Sequence, residues 1–191
     1  MILAGLVLAG GRSVRFGREK AMVLYRGRRL IEHALDRLEG CLARAVNAPA
    51  GSGAAEVAER LGLMRIGDAA GDPLGPLSGI KAGLDWARAI GAEALLVVPC
   101  DAPRLPVDLG SRLAAAIGSA DAAYAVTEEG PHPLCSLWRP AALPVLRHAL
   151  AGGAHPRVLD LLADLKAAEA PFEDAAAFAN LNRPEDLEAL G

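Results

Sequence analysis

Short unbroken apolar runs alternate along the chain with segments whose apolar residues recur every three or four positions. Ile2 to Ala9 is a continuous run of apolar and small residues, the pattern of a strand buried on both faces. "RLIEHALDRLEG" then puts Leu30, Ile31, Ala34, Leu35 and Leu38 on one helical face, and Gly40 ends it. "CLARAVNA" predicts a second strand, and a helix follows around Glu56 to Leu61. "LMRIGD" is a short third strand, "GDPLGPLSG" a loop by composition, and "GIKAGLDWARAIG" a helix with Ile80, Leu84 and Ala87 inward. "EALLVVPCD" is the clearest buried strand. The alternation continues through "LGSRLAAAIGS", "DAAYAVT", "PLCSLWR", "AALPVLRHALAG" and "PRVLDLLADL". "NRPEDLEAL" closes as a short helix, with Asn182 at the N-cap and Pro184 near its first turn.

Such alternation predicts an α/β fold: a three-layer, doubly wound, Rossmann-like sheet that is mostly parallel. The closely spaced "AAYAV" and "LCSLW" segments allow one antiparallel strand. No repeat or linker divides the 191 residues, so a single domain over 1–191 is expected. Composition narrows the function. A net charge of −3 argues against a broad nucleic-acid-binding surface, so any anion site must be local. Cys41, Cys100 and Cys135 show neither zinc spacing nor a disulfide framework, which points to a reducing cytoplasm. The apolar start is too short for a bilayer and lacks a secretory signal's basic start, so no membrane partner is expected.

In doubly wound sheets ligands bind beyond the carboxyl ends of the strands. After the first strand come Leu8, Ala9, Gly10 and Gly11, then a basic stretch through Arg15 to Lys20. Glycines admit a phosphate close to the backbone, and Arg15 and Lys20 can neutralise a triphosphate. The stretch is neither a Walker A loop nor G-x-G-x-x-G. It also fits a plain strand-to-helix turn with solvated basic residues. After the strongest strand, Asp101 lies between Pro99 and Pro103, where a carboxylate suits Mg²⁺; a turn former or N-cap is the alternative. Asn47 and Asp68 end two more strands, as ligands or as turn residues. Gly75 and Gly79 allow close backbone approach near a helix N-terminus, or mark an ordinary connection. Cys100 reads as a small packed residue, and Trp86 and Trp138 as core or interface. Nearer the C-terminus, His132 reads as an exposed loop histidine, Arg157 as a solvated helix-start residue, and Asn180 and Asn182 as caps or ligand contacts.

"LAGGRSVRFGREKA" resembles the signature of the MobA-like nucleotidyltransferases, the molybdenum cofactor guanylyltransferases. "GDPLGPLSGIKAGL", "VVPCDAPRLP", "HPLCSLW" and "NLNRPEDL" resemble that family's later motifs in the same order, from about Leu3 to Leu187. Phe16 stands where methionine is usual, Glu19 where aspartate is common, and "GAHPR" has one basic residue where some members have two. The resemblance implies transfer of GMP from GTP to a molybdopterin-type cofactor with release of pyrophosphate, and Mg²⁺ as the metal. It implies Leu8, Ala9 and Gly10 in nucleotide contact and Lys20 on the phosphates. Asn47 and Asp68 are implied for the nucleotide, Asp101 for metal and nucleotide, and Asn180 and Asn182 near the acceptor or metal. Gly11 and Gly79 join the nucleotide-binding candidates, and His132 and Arg157 the acceptor-binding ones. Transient contact with cofactor-delivery proteins or molybdoenzymes would fit the same role. Cytidylyl relatives tend to carry leucine-alanine-alanine-glycine in the first loop; Leu8-Ala9-Gly10-Gly11 favours GTP. A cytidylyltransferase, a sugar-phosphate nucleotidyltransferase and a non-catalytic nucleotide-binding regulator are the alternatives.

Overall fold

The computed structural model describes residues 1–10, 19–67, 75–182 and 185–186. In chain order the elements are β1 (Leu3–Leu8), β2 (Leu24–Tyr25), β3 (Arg28–Arg29), α1 (Leu30–Asp36), β4 (Ala43–Asn47), α2 (Gly53–Arg60), β5 (Met64–Ile66) and α3 (Pro76–Ala89). Then follow β6 (Ala94–Pro99), α4 (Leu109–Ala116), β7 (Ala122–Thr127), β8 (Gly130–Trp138), α5 (Leu143–Leu150), α6 (Val158–Asp164) and β9 (Ala168–Pro171). Seven strands form one sheet in the order β5-β4-β1-β6-β8-β7-β9, while β2 and β3 make a separate hairpin. β1 pairs in parallel with both β4 and β6, and β4 with β5. β8 is antiparallel to β6 and β7, and β7 is parallel to β9. This is the mostly parallel α/β sheet that the alternation implies, with β8 as the antiparallel strand.

The period of two along each strand divides the core. Val7, Leu96 and Val98 face α1, α2 and α4, in a cluster with Ile31, Leu35, Val57, Leu109 and Leu113. Leu6, Leu8, Leu95 and Val97 face α3, α5 and α6, with Ile80, Leu84, Leu146 and Leu161. Both faces are therefore covered, as a parallel sheet requires. Gly83 permits this on one side: a Cβ there would lie 2.6 Å from Leu6 Cδ2 and 2.9 Å from Leu95 Cδ2. Trp138 is fully buried in the core.

Several boundaries differ from expectation. α2 starts at Gly53, because Ser52 caps it by accepting from Ala55 N at 3.2 Å. β8 starts at Gly130, so His132 lies on a strand and not in a loop. Between the Tyr124–Ser136 and Ala125–His132 pairs the register shifts, with Pro133, Leu134 and Cys135 looped into the step. Pro131 and Pro133 have no N–H to give a ladder, which suits a bulged segment. No helix among the described residues is long and apolar enough to cross a membrane.

Candidate active site

The ladder around β1 sets one edge of the site. Leu8 stands opposite Asn47 on one side and Pro99 on the other. Pairing runs past the strand ends: Ala9 N donates to Asn47 O at 2.9 Å, and Cys100 N to Leu8 O at 3.1 Å. Asn47, Ala9 and the Cys100–Asp101 step are thus held abreast at the carboxyl edge. Cys100 is buried, and burial pushes its thiol up to about 12. It is a packed neutral group, as the sequence suggests, and not a nucleophile at neutral pH.

Three distant parts of the chain meet above this edge. Lys20 Nζ donates to Asp101 Oδ2 at 2.6 Å and to Asn182 Oδ1 at 2.9 Å. The Lys20 and Asp101 side chains keep only 17% and 20% exposure, so the pair is partly shielded from water. Lys20 begins a short 3₁₀ turn, Lys20–Met22, whose Ala21 is buried. Asn182 is brought in by its neighbour. Leu181 is fully buried among Val23, Tyr25 and Leu30, and its N–H donates to Asp101 O at 2.9 Å. The side-chain oxygen of Asn182 is turned onto Lys20, and its backbone N–H donates to Asp186 Oδ2 at 2.6 Å.

Asn47 is buried, and its amide donates to Ile66 O at 3.1 Å. Two glycines face it. A Cβ on Gly79, in the first turns of α3, would overlap the Asn47 carboxamide, reaching 2.7 Å from its Cγ, and would come within 3.0 Å of Leu8 Cδ2. A Cβ on Gly10 would lie 3.6 Å from Asn47 Oδ1, an ordinary contact, and Gly10 itself is exposed. Packing against the described residues therefore demands glycine at 79 but not at 10. Gly75 packs against the His155 ring, a contact the sequence does not signal.

The other candidates are more dispersed. His132 is half-buried, hydrogen-bonded to Thr127 Oγ1 at 2.9 Å and stacked on Phe178 at 4.5 Å. Burial holds its pKa below the usual histidine value, against the opposing pull of Glu129. Arg157 is exposed at the N-cap of α6, and Asn180 is exposed just before the buried Leu181. Gly11, Arg15 and Asp68 lie outside the described residues. Sequence reading missed the Leu181 anchor, the Phe178 stack and the contacts of Glu19, all of which depend on residues far apart in the chain.

Among the described residues no three His, Cys, Asp or Glu side chains gather as a metal cage. A carboxylate and an amide oxygen nonetheless converge on one ammonium. That hard-oxygen set fits Mg²⁺, which takes only one or two protein carboxylates and fills its other positions with phosphate and water.

Residues 5–168 match the MobA-like NTP transferase domain. A molybdenum cofactor guanylyltransferase of Cereibacter sphaeroides is 43% identical over 190 residues, covering 98% of this chain and 94% of its own. The crystal structure of molybdopterin-guanine dinucleotide biosynthesis protein A from Archaeoglobus fulgidus superposes with a TM-score of 0.77 at 23% identity, over 98% of this chain and 96% of its own. The 2-C-methyl-D-erythritol 4-phosphate cytidylyltransferase of Thermus thermophilus shares the fold as well, with a TM-score of 0.73 at 21% identity over 100% and 97% of the two chains. The fold is thus common to transferases of different nucleotides and acceptors, whereas the sequence match runs almost end to end with guanylyltransferases, and it places this chain in the MobA-like NTP transferase family.

Proposed function

We propose that the protein transfers GMP from GTP to the phosphate of a molybdopterin-type cofactor and releases pyrophosphate. The observation that carries this reading is the meeting of Lys20, Asp101 and Asn182 at the carboxyl edge of the sheet. An acceptor phosphate oxygen attacks the α-phosphorus of GTP. A new P–O–P bond forms, the α–β bridging P–O bond breaks, and pyrophosphate carries away the electron pair. A phosphate monoester has its second pKa near about 6, so the acceptor is already largely dianionic at neutral pH and needs no general base. The barrier lies in bringing two anions together. Lys20 lowers it as a point charge on the triphosphate, and backbone N–H groups of the glycine-containing stretch after β1 would hold phosphate oxygens. Asp101 and Asn182 would hold Mg²⁺, which neutralises charge on the phosphates when bound.

Gly10 supports the choice of GTP. Packing against the described residues does not require its lack of a side chain, and its backbone is not in the left-handed region. A glycine there would leave room beside a base, which favours the larger purine over a pyrimidine. The test is to incubate the protein with GTP or CTP, Mg²⁺ and molybdopterin cofactor, and to follow pyrophosphate and the guanine dinucleotide product. Product from GTP and not CTP is expected. Equal use of CTP, product only with sugar phosphates, or tight GTP binding with no pyrophosphate from any acceptor would overturn the reading.

A further inference from the structure

The contacts of Glu19 are not explained by the chemistry above. Its carboxylate takes two backbone donors at the start of α2: Gly53 N to Oε2 at 2.6 Å and Ala54 N to Oε1 at 2.8 Å. Ser52 takes the next one, with Ala55 N donating to its Oγ at 3.2 Å, and the regular helical ladder begins with Glu56 N donating to the Ser52 carbonyl at 3.0 Å. Ser52 N itself donates to Pro49 O at 3.3 Å, so the four N–H groups that a helix leaves unmade at its N-terminus are all filled, two of them by a residue from another part of the chain. A carboxylate is well suited to that end of a helix dipole.

The fit between the two segments is close. A Cβ on Gly53 would lie 2.8 Å from Met22 Cγ and 3.1 Å from Glu19 Oε2, so a larger residue would require the Met22 or Glu19 side chain to shift. The turn that carries Glu19 is itself rigid: Met22 N donates to Glu19 O and Val23 N to Lys20 O, each at 3.1 Å. Glu19 and Lys20 are neighbours on this one turn. One side chain reaches to α2, the other to Asp101 and Asn182.

We propose that Glu19 is a positioning residue: it clamps the end of the first loop to α2 and so fixes the base from which Lys20 reaches the nucleotide phosphates. The proposal rests on the reading of Lys20 as a phosphate-holding group. Glu19 touches no substrate. It acts by keeping the Lys20 ammonium where a triphosphate needs it, and a helix cap alone would not require the capping group to sit beside that lysine.

The experiment compares Glu19→Gln with Ser52→Ala, which also removes a cap from α2 but lies off the Lys20 turn. Thermal midpoint, GTP·Mg²⁺ affinity by calorimetry, and KM and kcat are measured for both. Both variants are expected to lower the midpoint, while Glu19→Gln alone weakens GTP by about tenfold or more. In a Lys20→Ala background, Glu19→Gln should add less than about twofold, because the clamped group is gone. Glu19→Asp keeps the charge with a shorter reach and should fall between wild type and Glu19→Gln; it serves the same comparison if the glutamine variant does not fold. Unchanged GTP affinity and KM in the Glu19 variants, or full additivity with Lys20→Ala, would leave Glu19 as a helix cap and overturn the proposal. Wild-type protein that fails to bind GTP·Mg²⁺ would instead remove the role of Lys20 itself.

Discussion

The two halves of the carboxyl edge are built differently. On the β5-β4-β1-β6 side every strand is parallel, and the candidate ligands sit at strand ends where hydrogen-bond register fixes them: Leu8 lies opposite both Asn47 and Pro99. On the β8-β7-β9 side one strand runs backwards, is bulged and carries His132, while the other candidates, Arg157 at a helix cap and Asn180 in the C-terminal tail, belong to no strand. Asn47 is buried and Asp101 partly so, whereas Arg157 and Asn180 are exposed. Charged phosphates repel one another, so on the proposed reading the nucleotide needs closely placed groups, and paired strands would supply that precision. On that reading the remaining candidates, which share no strand register, would be the part that varies with the acceptor.

The sharpest way to test this division is to break its register-held side. Asp101→Ala should lower guanylyl transfer by at least about a hundredfold, since it removes the carboxylate proposed to hold Mg²⁺ and an ion-pair partner of Lys20. Its carbonyl would still accept from Leu181 N, so circular dichroism and thermal midpoint should stay near wild type. Retained Mg²⁺-dependent turnover would end the metal role. Lys20→Ala removes a charge-assisted contact worth about 1.5–3 kcal/mol, or roughly ten- to 150-fold in GTP affinity. Near-wild-type affinity would mean that the ammonium serves only to pair Asp101 and Asn182.

The same division decides what could be read in the sequence. β1 and β6 are continuous apolar runs because both of their faces are covered, and such runs are visible without a structure. Asp101 and Asn47 follow directly from asking what stands at the end of each run. β9 is an edge strand of four residues, "AEAP", with one buried position, and nothing in it stands out from a loop. β2 and β3 have two residues each. His132 is misplaced for a related reason: prolines on both sides suggest a loop, and only the pairing with β7 makes it a strand residue. The anchoring of Asn182 through Leu181, and of Glu19 on α2, join positions tens of residues apart or more, which local pattern does not encode.

Two glycines facing Asn47 sharpen the comparison within the register-held half. Gly79→Ala forces a methyl into the Asn47 carboxamide, so it should cost about 1–3 kcal/mol of stability and weaken GTP together with it. Gly10→Ala places its methyl at ordinary contact distance, so the thermal midpoint should hold while preference moves from GTP towards CTP. A midpoint that falls equally in both variants would show that Gly10 is there for the fold and not for the base.

The smallest expected effect lies on the other half and concerns His132. Burial beside Phe178 lowers its pKa in the folded protein, so the unfolded chain binds the proton more readily. Stability is then fully present above the ordinary value near about 6.5 and is lost as pH falls from there through the lower folded value. Thermal midpoints of wild type and His132→Gln between about pH 5 and pH 7 measure this directly. The variant loses the stacked ring and starts lower at every pH, so the informative quantity is the slope: wild type should fall more steeply on acidification than the variant. GTP affinity should not change, because the imidazole is held by Thr127 and Phe178 and not by the Lys20 cluster. Parallel slopes would remove His132 as the titrating group, and a loss of GTP affinity would join the two halves that the strand directions separate.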